Sequence, residues 1–402
     1  MLIITFDIDQ PDVIGPSYAV GTILAHFKMK EPNRVVEYYS INLSDVRVKG
    51  IESIFFDLSN HFSLVSYEYI AISAYIWSEP YINSLIQFIH SVHRTVRIIL
   101  GGYQIAGLSI SELNLKYPDV YKYIEGYSEK AILNIANNSL DEIDTQQLIN
   151  MPIDGCDIYS PYLTNIYRLY NNIKKVRLET KRGCPYRCSF CSHDVCHSGK
   201  VIEKNIDYVI SELNILKKYS IGKINIIDPV FNCGKNYKII LQEIAKYDHN
   251  TAFTLQYKLN EKLDFNELEL IACSNICLEI GIQTLDDEVL KNISRPTNVK
   301  NTINNLIEIN SIGIDTEVSL IYGLPGQTLK IFIESIEVLK KIGLKKIKAY
   351  PLMLLRGTKL FLEKQKWGLV EGIDEFGIPI VKKSNTFSEE DWESMNELAL
   401  KI

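Results

Sequence analysis

Short apolar runs alternate with segments of helical periodicity over most of the second half of the chain. The runs are rich in Ile, Val and Leu, as strands of a parallel sheet are, and amphipathic helix patterns separate them. This alternation predicts repeated βα units whose right-handed crossovers close the strands into a partial barrel, with the chemistry at their carboxyl ends. The predicted strands are 176–180, 223–228, 252–259, 276–284, 315–324 and 346–354, and the predicted helices are 203–219, 236–247, 265–273, 298–310 and 328–342.

The beginning of the chain shows a second series of alternating elements. It predicts a small doubly wound α/β domain, a fold that binds ligands beyond the carboxyl ends of its strands. A domain that serves only packing or substrate docking would show the same pattern. The predicted strands are 2–8, 69–77, 96–107 and 119–124, and the predicted helices are 17–27, 80–93 and 128–136.

These two series set the expected domain limits. The α/β domain covers residues 1–140, and a polar segment at 141–175, which contains "MPIDGCDIYSPY", reads as a linker because its two prolines limit helix formation. The partial barrel covers residues 176–360. An acidic helix pattern, "SEEDWESMNELALKI", predicts a short helical extension at 361–402.

Composition and charge narrow the class of protein. The chain has 402 residues, of which 46% are hydrophobic and 23% charged, as in ordinary globular proteins. Asp7, Asp9 and Asp12 interrupt the first apolar run, so no signal peptide is predicted, and no run of about 18 apolar residues predicts a membrane span. A net charge of -6 argues against nucleic acid as the main partner. We therefore expect a cytoplasmic protein without membrane or nucleic-acid partners.

Half of the eight cysteines lie in one short stretch, "KRGCPYRCSFCSHDVC" (181–196). Disulfides are not expected in a reducing cytoplasm. A zinc site would need further ligands, for which His193 and His197 are candidates, but a second Cys-x2-Cys pair is absent. The spacing Cys-x3-Cys-x2-Cys instead suits a cubane iron–sulfur cluster, in which three thiolates hold three irons and the fourth iron stays open.

The stretch "GCPYRCSFC" resembles the signature of the radical S-adenosylmethionine (SAM) superfamily, including Phe190 before the last cysteine. The resemblance implies a partial (β/α)6 barrel in which Cys184, Cys188 and Cys191 bind a 4Fe-4S cluster. It further implies that the open iron binds SAM, whose reductive cleavage gives methionine and a 5′-deoxyadenosyl radical. An electron donor such as flavodoxin or ferredoxin is then an expected partner.

Residues at the predicted strand ends resemble cofactor-binding positions of that superfamily. "DPVFN" (228–232) resembles the form found in cobalamin-type members, and "EIGIQT", "YGLPGQT" and "YPLM" end the next strands. The arginine of "ISRPT" is implied to neutralise a carboxylate. Together with Phe190, the residues that the resemblance assigns to cofactor binding in the barrel are Asp228, Asn232, Glu279, Gln283, Arg295, Gly323, Leu324, Gly326, Pro351 and Leu352.

The order "SAYIW", "GGYQ", "GYSEKA" in the first domain resembles the cobalamin-binding domains of such enzymes. The chain lacks the Asp-x-His-x-x-Gly element that supplies a cobalt ligand in methionine synthase-type domains. We therefore expect no histidine on the lower face of the cobalt, and we expect His26, His61, His90 and His93 at the surface. The implied cobalamin-binding residues are Ser73, Tyr75, Trp77, Gly101, Gly102 and Tyr103.

The resemblance implies cobalamin-dependent methyl transfer to an unactivated carbon of a peptide or natural-product substrate. The first alternative is a cobalamin-independent radical modification, such as epimerisation, crosslinking or rearrangement. In an epimerisation, Cys233 or Cys196 would act as a catalytic hydrogen donor. The second alternative is a non-catalytic iron–sulfur or sensor protein.

Overall fold

The computed structural model describes residues 1–8, 12–137, 147–197, 199–259, 263–295, 297–375 and 377–402, without the side chains of Cys196 and His197. These residues form two compact units. The amino-terminal unit comprises Met1–Arg168, Leu355–Gly357 and Ile373–Ile378, and the barrel unit comprises Leu169–Leu354, Thr358–Gly372 and Pro379–Ile402. The longest of the helices described have 14 residues, and none combines the length and apolar character that a membrane crossing requires.

The amino-terminal unit contains a six-stranded parallel sheet in the order β2-β1-β3-β4-β5-β6. Its strands are β1 (Leu2–Asp7), β2 (Glu37–Asn42), β3 (Tyr69–Ser73), β4 (Arg97–Gly101), β5 (Lys122–Ile124) and β6 (Leu148–Ile149). Its helices are α1 (Tyr18–Lys30), α2 (Leu43–Lys49), α3 (Ile51–His61), α4 (Glu79–Val92), α5 (Ile110–Lys116) and α6 (Glu129–Ala136).

Both faces of this sheet are buried. Leu2, Ile4 and Phe6 of β1 belong to one hydrophobic core, and Ile3 belongs to a second one. Successive strand residues point to opposite faces, so the two cores lie on the two sides of the sheet. A continuous apolar run such as "LIITF" is what a strand covered on both faces requires. The predicted doubly wound domain is therefore confirmed.

The sequence analysis missed β2, α2, α3 and a 3₁₀ turn at Leu64–Ser66. Strand β2 lies at the edge of the sheet, where Glu37 and Tyr38 are exposed, so its sequence "EYYSIN" lacks an apolar run. Helix α2 is signalled only by its cap, since the Asn42 side chain accepts a hydrogen bond from the Ser44 amide (2.9 Å).

The barrel unit contains six parallel strands in the order β14-β13-β12-β11-β10-β7, curled into a half-barrel. These strands are β7 (Ile173–Leu178), β10 (Ile221–Ile226), β11 (Ala252–Gln256), β12 (Ile276–Gln283), β13 (Asp315–Tyr322) and β14 (Lys346–Pro351), which confirms the predicted partial barrel. Two small sheets add β8 (Lys181–Arg182) with β9 (Ile202–Glu203) and β15 (Val370–Ile373) with β16 (Pro379–Lys383).

Capping residues set where the barrel helices begin. The Asn205 side chain accepts from the Asp207 amide (2.9 Å), so the helix predicted at 203–219 starts only at residue 206. Asp264, Asp286, Asn298 and Thr328 cap four further helices in the same way. The helices are α7 (Ser192–His197), α8 (Ile206–Leu216), α9 (Tyr237–Ile244), α10 (Phe265–Ala272), α11 (Asp287–Asn292), α12 (Val299–Ile312), α13 (Leu329–Lys341), α14 (Lys359–Leu362) and α15 (Glu389–Ala399).

Two segments contain more structure than their sequences suggested. Within the expected linker, residues 148–149 pair with β5, and the Tyr167 hydroxyl donates to the Pro16 carbonyl (2.9 Å). The expected helical extension contains β15 and β16 as well as α15. The sequences of these two strands, "VEGI" and "PIVKK", are too short to give a periodic signal.

Candidate active site

Residues 183–191, which contain Cys184, Cys188 and Cys191 and are called the cysteine loop below, follow β7 and β8 at the carboxyl edge of the half-barrel. Gly183 has a φ of 80°, a left-handed conformation that favours glycine, and it turns the chain into the loop. The Ser189 amide donates to the Ile293 carbonyl (2.9 Å), and the Leu360 amide donates to the Ser189 carbonyl (2.9 Å). These bonds fix the loop on two sides. The Ser189 hydroxyl is buried and has no hydrogen-bond partner among the described residues.

The three thiols of the loop lie in a largely desolvated setting. Cys188 is 7% exposed, and Cys184 and Cys191 are half-buried. Burial raises the pKa of Cys184, and it raises the pKa of Cys191 to about 11. Arg295 opposes this effect, since its charge lowers the pKa of both thiols and its Nη1 donates to Cys188 Sγ (3.2 Å). Metal binding requires thiolates, so Arg295 favours the form that binds iron.

The loop is compatible with a cluster whose three thiolates bind separate irons. Over the described ranges, no three His, Cys, Asp or Glu side chains are arranged around one metal position. In an iron–sulfur cluster the thiolates bind different irons and need not converge on one point. Phe190 is half-buried between the second and third cysteines, where the sequence places it. Cys196 belongs to α7, and its side chain lies outside the described part of the chain, as does that of His197.

Asp228 holds the start of the cysteine loop. It follows β10 and is 0% exposed, and its Oδ1 accepts from the amides of Thr180 (2.7 Å) and Lys181 (3.2 Å) while its Oδ2 accepts from the Thr180 hydroxyl. The Lys181 ammonium in turn donates to the carbonyls of Phe231 (2.5 Å) and Cys233 (2.6 Å). Burial raises the pKa of Asp228, and these donors oppose that rise. The carboxylate therefore positions the loop in this structure, and its contact with a cofactor stays a prediction.

Asn232 has a similar internal task. Its Oδ1 accepts from the Lys258 amide (2.9 Å) and its Nδ2 donates to the Lys258 carbonyl (2.8 Å), so this amide fixes the chain after β11, and its cofactor contact stays a prediction. Lys258 follows β11. Its ammonium donates to Thr297 Oγ1 (3.3 Å) and lies 5.5 Å from the Tyr186 ring centroid. Burial lowers the pKa of Lys258 to about 8, and the Arg295 charge adds to the effect.

Strand β12 brings Glu279 and Gln283 to the same half-buried side, as the period-two pattern predicts. The register shifts between Gly281 and Gln283, and Gln283 has a φ of 73°, which is strained for a residue with a side chain. A Cβ on Gly281 would lie 2.7 Å from Gln283 Nε2, so the amide folds over this glycine. Gln283 Oε1 is buried without a hydrogen-bond partner in the described chain. Glu279 accepts a hydrogen bond from Gln256, and burial raises its pKa.

Arg295 lies across the end of β12. Besides its bond to Cys188, its Nη2 donates to the Gly281 carbonyl (2.6 Å). A cavity of about 20 Å³, which has room for one water molecule, is lined by Arg295, Lys258 and Thr284. Thr284 Oγ1 is buried and lacks a hydrogen-bond partner within the described ranges. The guanidinium therefore links the strand end to the cysteine loop, whereas the sequence analysis expected it to face a carboxylate.

The ends of β13 and β14 form a closed turn. Gln327 Oε1 accepts from the amides of Gly323 (2.9 Å) and Leu324 (3.2 Å), and both residues are buried. The Leu352 amide donates to the Tyr322 carbonyl (2.9 Å), and its carbonyl accepts from the Val381 amide (2.8 Å). The amides of Gly323, Leu324 and Leu352 and the carbonyl of Leu352 are therefore already hydrogen-bonded inside the protein.

Gly326 and Pro351, the other predicted residues at these two strand ends, have different surroundings. Gly326 has a φ of 84°, and a Cβ there would lie 2.5 Å from Asn292 Nδ2, whose amide donates to the Pro325 carbonyl (3.2 Å). Its glycine is thus required by the turn itself. Pro351, the last residue of β14, is half-buried.

The amino-terminal unit brings its candidate residues together at the carboxyl ends of β3 and β4. The rings of Tyr75 and Trp77 stack at 4.6 Å between centroids, and Tyr103 lies 6.1 Å from Tyr75. Trp77 Nε1 donates to the Phe6 carbonyl (2.9 Å), so this indole group is bound within the protein. Ser73 Oγ is buried without a hydrogen-bond partner in the described part of this unit.

The two glycines of this region have different surroundings. Gly102 has a φ of 123°, and a Cβ there would lie 2.4 Å from the Ala74 carbonyl oxygen, so the fold itself requires this glycine. A Cβ on Gly101 would meet Ile124 and Ser128 only at 3.5 to 3.6 Å, which is ordinary contact. A Cβ at Gly101 is therefore tolerated by the fold.

The expectation for the histidines was wrong at one position. His26 is 1% exposed and bonds through Nδ1 to the Asp157 carbonyl (3.2 Å), while His61 is exposed and His90 and His93 are half-buried. Burial lowers the pKa of His26.

Cys233 is half-buried, and its thiol donates to the Val230 carbonyl (3.1 Å). A turn bond thus accounts for this thiol.

Sequence reasoning missed Lys181, Lys258 and Ser189 as parts of the site. Lys181 and Ser189 lie within the cysteine-rich stretch 181–196, where only the cysteine spacing, Phe190 and His193 were considered. Lys258 lies near the end of the predicted strand 252–259. Its position is fixed by Asn232, which is 26 positions away in the sequence.

Residues 178–354 match a family described as the Radical SAM superfamily. An uncharacterized protein of Methanocaldococcus jannaschii is 26% identical over 253 residues, which cover 54% of this chain and 75% of that protein.

Solved structures resemble the fold of nearly the whole chain. The radical SAM methyltransferase TsrM from Kitasatospora setae, with tryptophan substrate and a SAM analogue bound, has a TM-score of 0.74 at 14% identity and covers 98% of this chain and 88% of its own. The cobalamin-dependent SAM radical enzyme OxsB, with aqua-cobalamin and SAM bound, has a TM-score of 0.68 at 12% identity and covers 98% and 66%. These likenesses establish a shared fold.

Proposed function

We propose that this chain, whose residues 178–354 form a radical SAM domain, is an enzyme that uses SAM and cobalamin for methyl transfer to carbon. The observation that carries the proposal is the cysteine loop, which stands anchored at the carboxyl edge of the half-barrel. Cys184, Cys188 and Cys191 are the proposed ligands of a 4Fe-4S cluster, and Arg295 donates to one of them.

The bound cofactors would supply the chemistry: a cluster that would give one electron to SAM and so cleave it into methionine and a 5′-deoxyadenosyl radical, and a cobalamin that would carry the methyl group. The residues of the chain bind and orient these groups. Gln283 Oε1 and Ser189 Oγ are buried and have no hydrogen-bond partner among the described residues, which supports a polar ligand beside the cysteine loop. Asp228 and Asn232 act indirectly. Asp228 fixes the start of the cysteine loop, and Asn232 fixes the backbone of Lys258.

The cobalamin part of the proposal rests on the amino-terminal unit. Its sheet order is that of flavodoxin-like folds, which bind ligands at the carboxyl edge next to the central strands. Ser73 is at this edge and its hydroxyl lacks a partner among the residues described. His26 is buried and bonded to the Asp157 carbonyl, so it is not a candidate cobalt ligand. TsrM and OxsB have been solved with cobalamin bound.

One observation favours the alternative of a cobalamin-independent radical modification. The Trp77 indole donates a hydrogen bond to the Phe6 carbonyl, and the Ala74 carbonyl leaves no room for a side chain at Gly102. Two of the expected corrin contacts therefore serve the fold. In either reaction the substrate is a peptide or natural product, and an electron donor of the flavodoxin or ferredoxin type reduces the enzyme.

Retention of a corrin separates the two functions. We expect anaerobically reconstituted protein to keep hydroxocobalamin through gel filtration, with the base-off absorption spectrum that the lack of a histidine ligand predicts. Gly101→Val should release the corrin, and Gly101→Ala, whose Cβ makes only ordinary contacts, is the control for the fold of the corrin-free protein. Protein that passes the column without corrin at micromolar concentration would favour the cobalamin-independent reaction.

A further inference from the structure

The concave side of the half-barrel carries charged side chains where a closed barrel has an apolar filling. On β7 and β10, Val176, Leu178, Ile224 and Ile226 are at most 3% exposed and belong to the side that the connecting helices cover. Alternate residues point to the other side, which faces the interior of the half-barrel. The half-buried residues at these alternate positions are Lys175, Arg177, Lys223 and Asn225.

Lys175 and Lys223 lie directly opposite each other on these neighbouring strands. Like charges in directly opposed positions destabilise a sheet, and partial burial strengthens the repulsion. Within the described ranges, neither ammonium group has a hydrogen-bond partner or a carboxylate within 4.0 Å. The pair is thus a local excess of positive charge without a counter-ion from the protein.

The carboxylates on the same side are engaged elsewhere. Glu317 forms an ion pair with Lys348 (2.8 Å), and Glu279 accepts a hydrogen bond from Gln256. Glu279 lies two strands away from Lys223, or about 10 Å across the sheet. The charges of the two lysines reach Glu279 only at long range, where they oppose the rise of its pKa that burial causes.

We propose that Lys175 and Lys223 form an oxyanion-binding subsite, which holds a phosphate or carboxylate group of the substrate inside the half-barrel. An oxyanion placed between the two ammonium groups would replace their repulsion by two charge-assisted hydrogen bonds. As a statement about the substrate, this inference rests on the proposed function, and it restricts the substrate to molecules with an anionic group. The binding of a simple oxyanion does not depend on that function.

The test compares melting temperatures of the reconstituted protein in sodium chloride, sodium phosphate and sodium acetate at equal ionic strength and pH. Phosphate stabilises most proteins by a general salt effect, so the informative quantity is the difference between variants. We expect the wild type to gain about 2–4 °C more than Lys175→Met and Lys223→Met in phosphate or acetate, the shift that about 1 kcal/mol gives in a domain of this size. The larger gain identifies the preferred anion.

Three controls make the outcome decisive. Lys174→Met changes the exposed neighbour of Lys175 on the same strand and should keep the wild-type gain. Lys223→Arg keeps the charge and should keep most of the gain. In chloride, Lys223→Met should melt at or above the wild-type temperature, because it relieves the repulsion. An equal anion gain in all five proteins would overturn the subsite, and this result is separate from any failure to cleave SAM or bind cobalamin.

Discussion

The two candidate cofactor regions differ in how their polar groups are used. Around the cysteine loop, Asp228 and Asn232 hold backbone segments in place, and Gln283 Oε1 is buried without a hydrogen-bond partner in the part of the chain that the structure describes. At the edge of the amino-terminal sheet, Trp77 and Gly102 serve the fold, and only Ser73 among the candidates has a buried unpartnered atom within the described residues. The polar groups of the barrel unit thus preorganise its candidate site. In the amino-terminal unit two of the candidate residues serve the fold, and retention of a corrin tests whether it binds a ligand.

The largest effect is expected from the cysteines themselves. Cys184→Ala, Cys188→Ala and Cys191→Ala should each lose nearly all cluster iron after anaerobic reconstitution, because each removes a covalent bond to iron. Iron analysis and the absorption of the cluster measure this directly. Cys156→Ala changes an exposed thiol of the amino-terminal unit and should keep the full iron content. Wild-type iron content in any of the three loop variants would remove the assignment of ligands.

The second effect concerns the positioning role of Asp228. Asp228→Ala leaves the buried amides of Thr180 and Lys181 and the Thr180 hydroxyl without their acceptor, so we expect a loss of about 3 kcal/mol in the stability of the barrel unit. Urea unfolding followed by hydrogen exchange in peptides from 173–233 measures it. Glu337→Ala, at an exposed helix position, should change this stability by no more than about 0.5 kcal/mol. Equal losses in both variants would contradict the positioning role.

The third effect separates fold from ligand in the amino-terminal unit. Gly102→Ala should destabilise β3 and β4 by about 2 kcal/mol or more, since the new Cβ meets the Ala74 carbonyl in a strained conformation. Gly101→Ala should cost less than about 1 kcal/mol, because its Cβ makes ordinary contacts. Hydrogen exchange in peptides from 69–104 distinguishes the two variants. The reverse order of the losses would show that the close approach lies at Gly101.

The smallest effect is a pH dependence at His26. Burial lowers the pKa of this histidine in the folded state, so the unfolded chain binds more protons as the pH falls below its ordinary value of 6.5. The stability of the amino-terminal unit should therefore be constant above about pH 7 and fall at lower pH, by no more than about 1.4 kcal/mol per pH unit. His26→Gln should flatten this slope relative to the wild type between pH 5 and 7. The same slope in both proteins would assign it to other groups.

The sequence predicted what depends on local pattern, and it failed where distant partners decide. The strands of the half-barrel are apolar runs and were therefore predictable, and the proposed cysteine ligands were identified from a spacing within eight residues. The use of Asp228 depends on Thr180, 48 positions away, and that of Leu352 depends on Val381 in a strand too short to recognise. Edge strand β2 was missed because half-exposed strands lack an apolar run.

In the proposed function, the loop of Cys184, Cys188 and Cys191 supports the reductive cleavage of SAM. The most direct test is the formation of 5′-deoxyadenosine by the reconstituted protein, reduced with dithionite and quantified by mass spectrometry beside Cys191→Ala. We predict several turnovers in the wild type and none above background in the variant. Equal amounts of 5′-deoxyadenosine in both proteins, or none in a wild type that holds its full cluster, would contradict the account.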